Sequence, residues 1–425
     1  MSPRFHAMLM VLAAALLAVA AGGCVEPLLP DNIDNSNGPE ISILIRLPGG
    51  SRPSTKATIS PQDDDETSIH HLQIWAFRNG NTHANERPVA YVIASNIGSW
   101  GEDPDDDVYT VILHLPESFL NLAPSAMNLD FYVLANGPSI GYPSAEKDEY
   151  LKTREQVRAL TYGYSAADDP FGAQACTEVP SEGLPMSAFC EGVNVYAQLN
   201  PDLTPQQIQQ SIPVVQLKRT VSRIRFIFSR LKDMNYVKIN NVSIVPKPGS
   251  QTTGVIPKRV YVFTNSTASN PVAIPSENTG YETIAWSANL DYEDIHYPTS
   301  PGVTPATLLN SSYSEFSQDF EDFLQTDAVR NATTQQLVYF RETDQHLAVA
   351  IDYQFTRIDD EGREVIESYT QTIPLEGDNQ VFPRNYTANL YAYFLEDQIH
   401  FSVSWDEWSF EDNGKSHIPL TNPTP

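Results

Sequence analysis

The sequence predicts an all-β protein built as two tandem β-sandwich domains with a few short helices. Short runs with apolar residues at every second position recur along the chain, the period of a strand with one buried face. Turn-forming residues such as Asn79-Gly80, Asn136-Gly137 and Asp359-Asp360-Glu361-Gly362 separate these runs. A length of 425 residues with 41% hydrophobic and 10% aromatic content is enough for more than one core. The runs fall into two blocks, 40–232 and 233–425, without a clear internal repeat.

The chain opens with one charge, Arg4, and an apolar run from Ala7 to Ala21 that is short for a membrane span. Ala21-Gly22-Gly23-Cys24 places a thiol directly after small residues. Residues 1–23 therefore read as a lipoprotein signal peptide, cut after Gly23 and lipidated at Cys24, which tethers the chain to a membrane while leaving its body in water. Residues 24–39, rich in Pro, Asn and Asp, read as a tether. Ile41, Ile43, Ile45 and Leu47 put an apolar residue at every second position and predict a half-buried first strand. An exposed loop follows, holding Arg52, Lys56 and the acidic run Asp63-Asp64-Asp65-Glu66.

Further strands are expected at 71–77, 89–95, 108–115 and 129–135, with a tight hairpin at Asn79-Gly80 and one helix over 150–161. Residues 214–226 alternate as a long strand or strand pair. The pattern breaks at 231–236, where the division between domains is expected. The second block offers strands at 237–245, 260–263, 347–355, 365–373, 386–394 and 399–405. Phe316, Phe320 and Phe323 stand at helical spacing in 314–324.

Lys+Arg 26 against Asp+Glu 53 gives a net charge of −27, which repels nucleic acid and anionic membrane surfaces. No H-E-x-x-H, G-x-S-x-G or phosphate-binding glycine loop occurs. His70 and His71 are adjacent and, on a strand, point to opposite faces. Asp103-Pro104-Asp105-Asp106-Asp107 has the hard oxygens calcium takes but not the spacing of a calcium loop, and reads as a solvated turn. No catalytic residue, metal or cofactor is therefore expected. Cys176 and Cys190 remain once Cys24 is lipidated, and in an oxidising compartment they are candidates for a disulfide.

Several segments in order resemble the Bacteroidales fimbrillins, the type V pilins with FimA-like major fimbrial subunits. Phe131-Tyr132-Val133-Leu134-Ala135-Asn136 is similar to a strand ending in Ala-Asn. Gly183-Leu184-Pro185-Met186-Ser187 resembles the family's LPMSG segment, with Ala188 in place of the glycine. Val215-Gln216-Leu217-Lys218-Arg219-Thr220-Val221-Ser222-Arg223-Ile224 resembles the family's L-x-R-x-V-A-K-I strand, with Ser222 in place of the small apolar residue. Pro383-Arg384-Asn385-Tyr386, followed by Val403-Ser404-Trp405, resembles an R-N-x-x-Y…W ending.

The resemblance implies transthyretin-like sandwiches and export as a lipoprotein precursor. It implies that a surface trypsin-like protease cuts in the loop after the first strand. Loss of that strand opens a groove that other fimbrial subunits fill with a C-terminal segment. Carried over, Ile41, Ile43, Ile45 and Leu47 form the displaced strand and Lys56-Ala57 the processing point, since Pro53 follows Arg52 and Arg46 lies in the strand. The donor is expected among strand-forming residues from Ile399 up to Phe410, because proline in the later tail cannot join a ladder. Removing 399–425 is then expected to leave a folded, non-polymerising first domain. Two alternatives are an uncleaved lipidated anchor and a surface glycan-binding lipoprotein.

Overall fold

The computed structural model describes residues 38–407 apart from 47–65, 67, 81–84, 96–107, 143–148, 164–169, 173–174, 234–235, 265–271, 300–326, 376–380 and 396–397. In the first half, strands form at β1 (Glu40–Arg46), β2 (His71–Arg78), β3 (Ala90–Ser95), β4 (Val108–His114), β5 (Asn128–Ala135), β6 (Thr161–Gly163), β7 (Met186–Asn194), β8 (Val214–Gln216) and β9 (Lys218–Arg219). They assemble as a three-stranded sheet, β4-β1-β8, facing a five-stranded sheet, β3-β2-β5-β7-β9. The core between them takes Ile41, Ile43 and Ile45 from one sheet and Leu72, Ile74, Leu129, Phe131 and Val133 from the other.

The five-stranded sheet is covered on both faces, which explains why β2 reads HLQIWAFR, nearly continuously apolar. Leu72, Ile74 and Ala76 enter the first core, while Trp75 and Phe77 point the other way into a second cluster with Tyr91, Tyr132, Val260 and Tyr339. That second cluster joins the two halves of the chain.

The second half contributes β10 (Val221–Arg230), β11 (Val237–Pro246), β12 (Ile256–Pro257), β13 (Arg259–Tyr261), β14 (Tyr281–Glu282), β15 (Ile284–Leu290), β16 (Thr334–Arg341), β17 (Leu347–Ile358), β18 (Glu364–Pro374), β19 (Tyr386–Leu395) and β20 (Gln398–Glu407). Two four-stranded sheets result, β16-β10-β19-β20 and β15-β11-β17-β18, packed over a common apolar core. β17 and β18 turn at Asp359 to Gly362, where Gly362 has φ 76 and the Asp359 carboxylate accepts from the Glu361 and Arg363 amides. Among the described residues the fold is thus all-β, with short helices only.

Four expectations change. The strand Val221–Arg230, placed by its sequence in the first block, pairs with β16 and in parallel with β19. The chain therefore passes to the second sandwich near Thr220, a full strand before the break at 231–236. Asn79-Gly80 does not close a tight hairpin, since β3 begins only at Ala90. The Asn79 amide donates instead to the buried Asp130 carboxylate at 2.6 Å, which turns the chain away from β2. The expected helix over 150–161 is a 3-10 turn, Glu149–Leu151, and a separate helix, Arg154–Arg158, because Thr153 caps a new start through a reciprocal pair of bonds with Gln156. Finally, Cys176 and Cys190 are both free thiols. Cys190 sits against the first core and Cys176 in the cluster on the other side of the five-stranded sheet, so the sheet separates them. The helix expected over 314–324 lies outside the described residues.

Candidate strand-exchange site

The first strand occupies the centre of its sheet. β1 pairs antiparallel with β4 from Glu40↔His114 to Arg46↔Val108, and parallel with β8 from Leu44↔Val214 to Arg46↔Gln216. Alternation turns Ile41, Ile43 and Ile45 inward, where they are 1%, 0% and 0% exposed. Each apolar side chain so buried contributes about 1.5–3 kcal/mol. β1 is therefore a full member of the core. Taking it away would leave a seven-residue slot with main-chain groups of β4 and β8 on its edges and Phe131, Val133, Leu113, Val215 and Leu217 among its lining.

β8 is too short to line the whole of that slot. Beyond its start, the short helix Tyr196–Leu199 brings in Gln198. Its Oε1 accepts from the Ser42 amide at 2.7 Å and its Nε2 donates to the Ser42 carbonyl at 3.1 Å. Nothing in the sequence around Gln198 marks it, and its role emerges only from the packing of that helix on β1. Of the residues expected for processing, Leu47, Lys56, Ala57, Gly23 and Cys24 lie outside the described residues.

The last strand tells a different story. Among the described residues, β20 lies at the edge of its sheet and pairs with β19 alone. Ile399, Phe401 and Val403 are nonetheless 7%, 7% and 3% exposed and belong to the core of their own sandwich.

The segments that carried the family resemblance converge on the junction between the sandwiches. Asn136, at φ 55, accepts from the His70 amide at 2.8 Å and donates to the carbonyls of Ser68 and Leu184. Gly183 is required beside it: at φ +79, a Cβ there would lie 2.4 Å from the Asn136 amide nitrogen. Pro185 accepts from the Thr220 amide at 2.8 Å. Arg223 is held by both oxygens of Glu66, at 2.7 and 2.6 Å, and by Thr387. Tyr339 donates to Glu66 at 2.5 Å, and its phenol is driven well above the ordinary range first by burial and then by the Glu66 charge. Arg384 pairs with the fully buried Glu342 and donates to the carbonyls of Tyr261 and Val262, while Asn385 bonds Val221 and Arg219. These residues are scaffold, holding one sandwich to the other.

Among the described residues, no group of three or more His, Cys, Asp or Glu side chains could hold a metal ion, and no helix is long and apolar enough to cross a membrane.

The fold is similar to several solved structures over most of both chains. A proposed cell adhesion protein from Parabacteroides distasonis is 15% identical, with 88% of this chain and 98% of that chain covered and a TM-score of 0.45. The tip fimbrial protein Mfa3 from Porphyromonas gingivalis, with a C-terminal truncation, is 13% identical, covering 87% and 100%, with a TM-score of 0.44. A fimbrial assembly protein from Parabacteroides distasonis is 10% identical, covering 86% and 96%, with a TM-score of 0.41. No family model matches the chain, and no curated protein matches it.

Proposed function

We propose that this chain is a structural subunit of a cell-surface fimbria, exported as a lipoprotein precursor and assembled by strand exchange. The observation that carries this is the place of β1. The strand Glu40–Arg46 fills the central slot between β4 and β8, with Ile41, Ile43 and Ile45 buried in the core. Such a slot, once vacated, presents both a main-chain ladder and pockets at alternate positions, the two requirements for capturing a strand from another molecule.

In this scheme Cys24 carries a lipid that holds the precursor at the outer membrane. A trypsin-like surface protease cuts between Lys56 and Ala57, and β1, with Ile41, Ile43, Ile45 and Leu47, leaves with the lipid. Each half of the chain is a sandwich of transthyretin-like topology. The donor is the segment after Glu407 of a neighbouring subunit, because Ile399, Phe401 and Val403 are engaged in their own core.

The deciding measurement is the N-terminal residue of the protein recovered from surface filaments. Ala57 is expected. Filaments whose subunits still begin at lipidated Cys24 would remove the processing step and leave an uncleaved anchor as the function.

A further inference from the structure

We propose that Gln198 is a main-chain clamp of the slot, binding the backbone of whichever strand lies between β4 and β8 and rejecting one with proline at that position. The inference rests on the strand-exchange reading above, in which the occupant is β1 before processing and a strand of a second copy of this chain afterwards.

The two edges of the slot are unequal. β4 lines β1 over all seven of its residues, whereas β8 reaches only Leu44 to Arg46. On the β8 side the ladder runs from the Leu44 amide, which donates to Pro213 at 2.9 Å, to the Arg46 carbonyl, which accepts from Leu217 at 2.8 Å. Ser42 presents its N–H and C=O to that same edge two residues earlier, beyond the start of β8. Gln198 answers both groups, at 2.7 and 3.1 Å, and so takes the place of a strand residue that the sheet lacks.

A primary amide suits this task because it carries one acceptor oxygen and a donor nitrogen side by side. Its terminal torsion is broad and roughly two-fold, so a half-turn exchanges the two and serves a strand running in either direction. The contact reads no side chain. It does require an N–H, which proline lacks. A donor whose prolines fall at this position is excluded, and that restricts the registers in which a proline-bearing segment can enter.

The test uses the full chain nicked within residues 47–65, with β1 competed out by a fluorescent synthetic peptide of residues 38–47. Two paired net hydrogen bonds predict that Gln198→Ala weakens peptide binding by about tenfold. A peptide with an ester in place of the Ser42 amide should bind the unaltered chain several-fold more weakly and the Gln198→Ala chain no more weakly than the parent peptide does. An ester at Leu44, which faces Pro213, should weaken binding to both equally. Gln198→Glu keeps the acceptor and loses the donor, so an intermediate loss is expected from it. Equal binding by Gln198→Ala, Gln198→Glu and the unaltered chain would overturn the clamp alone. Failure of every peptide to bind the nicked chain would overturn strand exchange itself, and the clamp with it.

Discussion

Asn136 shows how much a single side chain does at the junction. Its backbone sits in the left-handed region, and its buried amide satisfies the His70 amide and the carbonyls of Ser68 and Leu184. Asn136→Ala strands all three groups and keeps the strained backbone, so a loss of about 3 kcal/mol is expected. A urea titration should show a lower midpoint with an unchanged slope. A midpoint within error of the parent would mean that water replaces the amide. The Cys190 thiol offers a second check at this scale. Burial drives its pKa up to about 11, opposed by a bond to the Phe131 backbone and reinforced by the Asp130 and Glu191 charges. A raised pKa means that the thiol's contribution is fully present below pH 9 and is lost as pH rises from about 9 to 11. At pH 8, iodoacetamide should therefore modify Cys190 about 100-fold more slowly in the native than in the urea-unfolded chain, read by peptide mapping. Equal rates in the two states would contradict the half-buried placement of Cys190 against the first core.

Among the elements, β20 determines where the chain can be cut without loss. Removing 399–425 was expected from the sequence to leave a folded, non-polymerising first domain, and that deletion also takes Ile399, Phe401 and Val403 out of the second core. Three such side chains together contribute on the order of 5–8 kcal/mol, comparable to the net stability of a domain. A chain ending at Glu407 should keep its near-ultraviolet circular dichroism and melting temperature, whereas one ending at Asp397 should lose the cooperative transition of the second sandwich. If both melt like the parent, β20 is dispensable and becomes available again as a donor. Strands with one face in water were legible in the sequence: β1, β11 and β17 each show the two-residue period, and the structure bears their positions out. β10 was legible as a strand but not as a member of the second sheet. Its arginines Arg223, Arg225 and Arg230 are 4%, 4% and 5% exposed. Arg223 meets Glu66, at the end of an acidic run that itself read as exposed loop, and no local pattern announces a charge that is neutralised from 157 residues away. Gln198 was invisible for the same reason, since its partner Ser42 is 156 residues distant.

For the whole molecule, charge sets a condition on assembly that no single contact reveals. Removing residues 1–23 deletes one basic residue and no acidic one, and cutting after Lys56 removes three further basic and four acidic residues, leaving 22 against 49 and a net charge of −27. Copies of such a chain repel one another on approach, while the slot proposed for strand exchange has an apolar lining and a ladder built from main-chain groups. Repulsion therefore acts on the encounter, and the contacts that hold the strand are nearly indifferent to salt. Raising ionic strength from about 10 to 150 mM shortens the screening length from roughly 30 to 8 Å, so processed subunits should associate about tenfold faster. Their dissociation rate should stay almost unchanged. Light scattering after nicking gives the first rate, and dilution of formed oligomers gives the second. Association that slows as salt is added would show that local patches of opposite charge, and not the net field, guide one subunit onto the next.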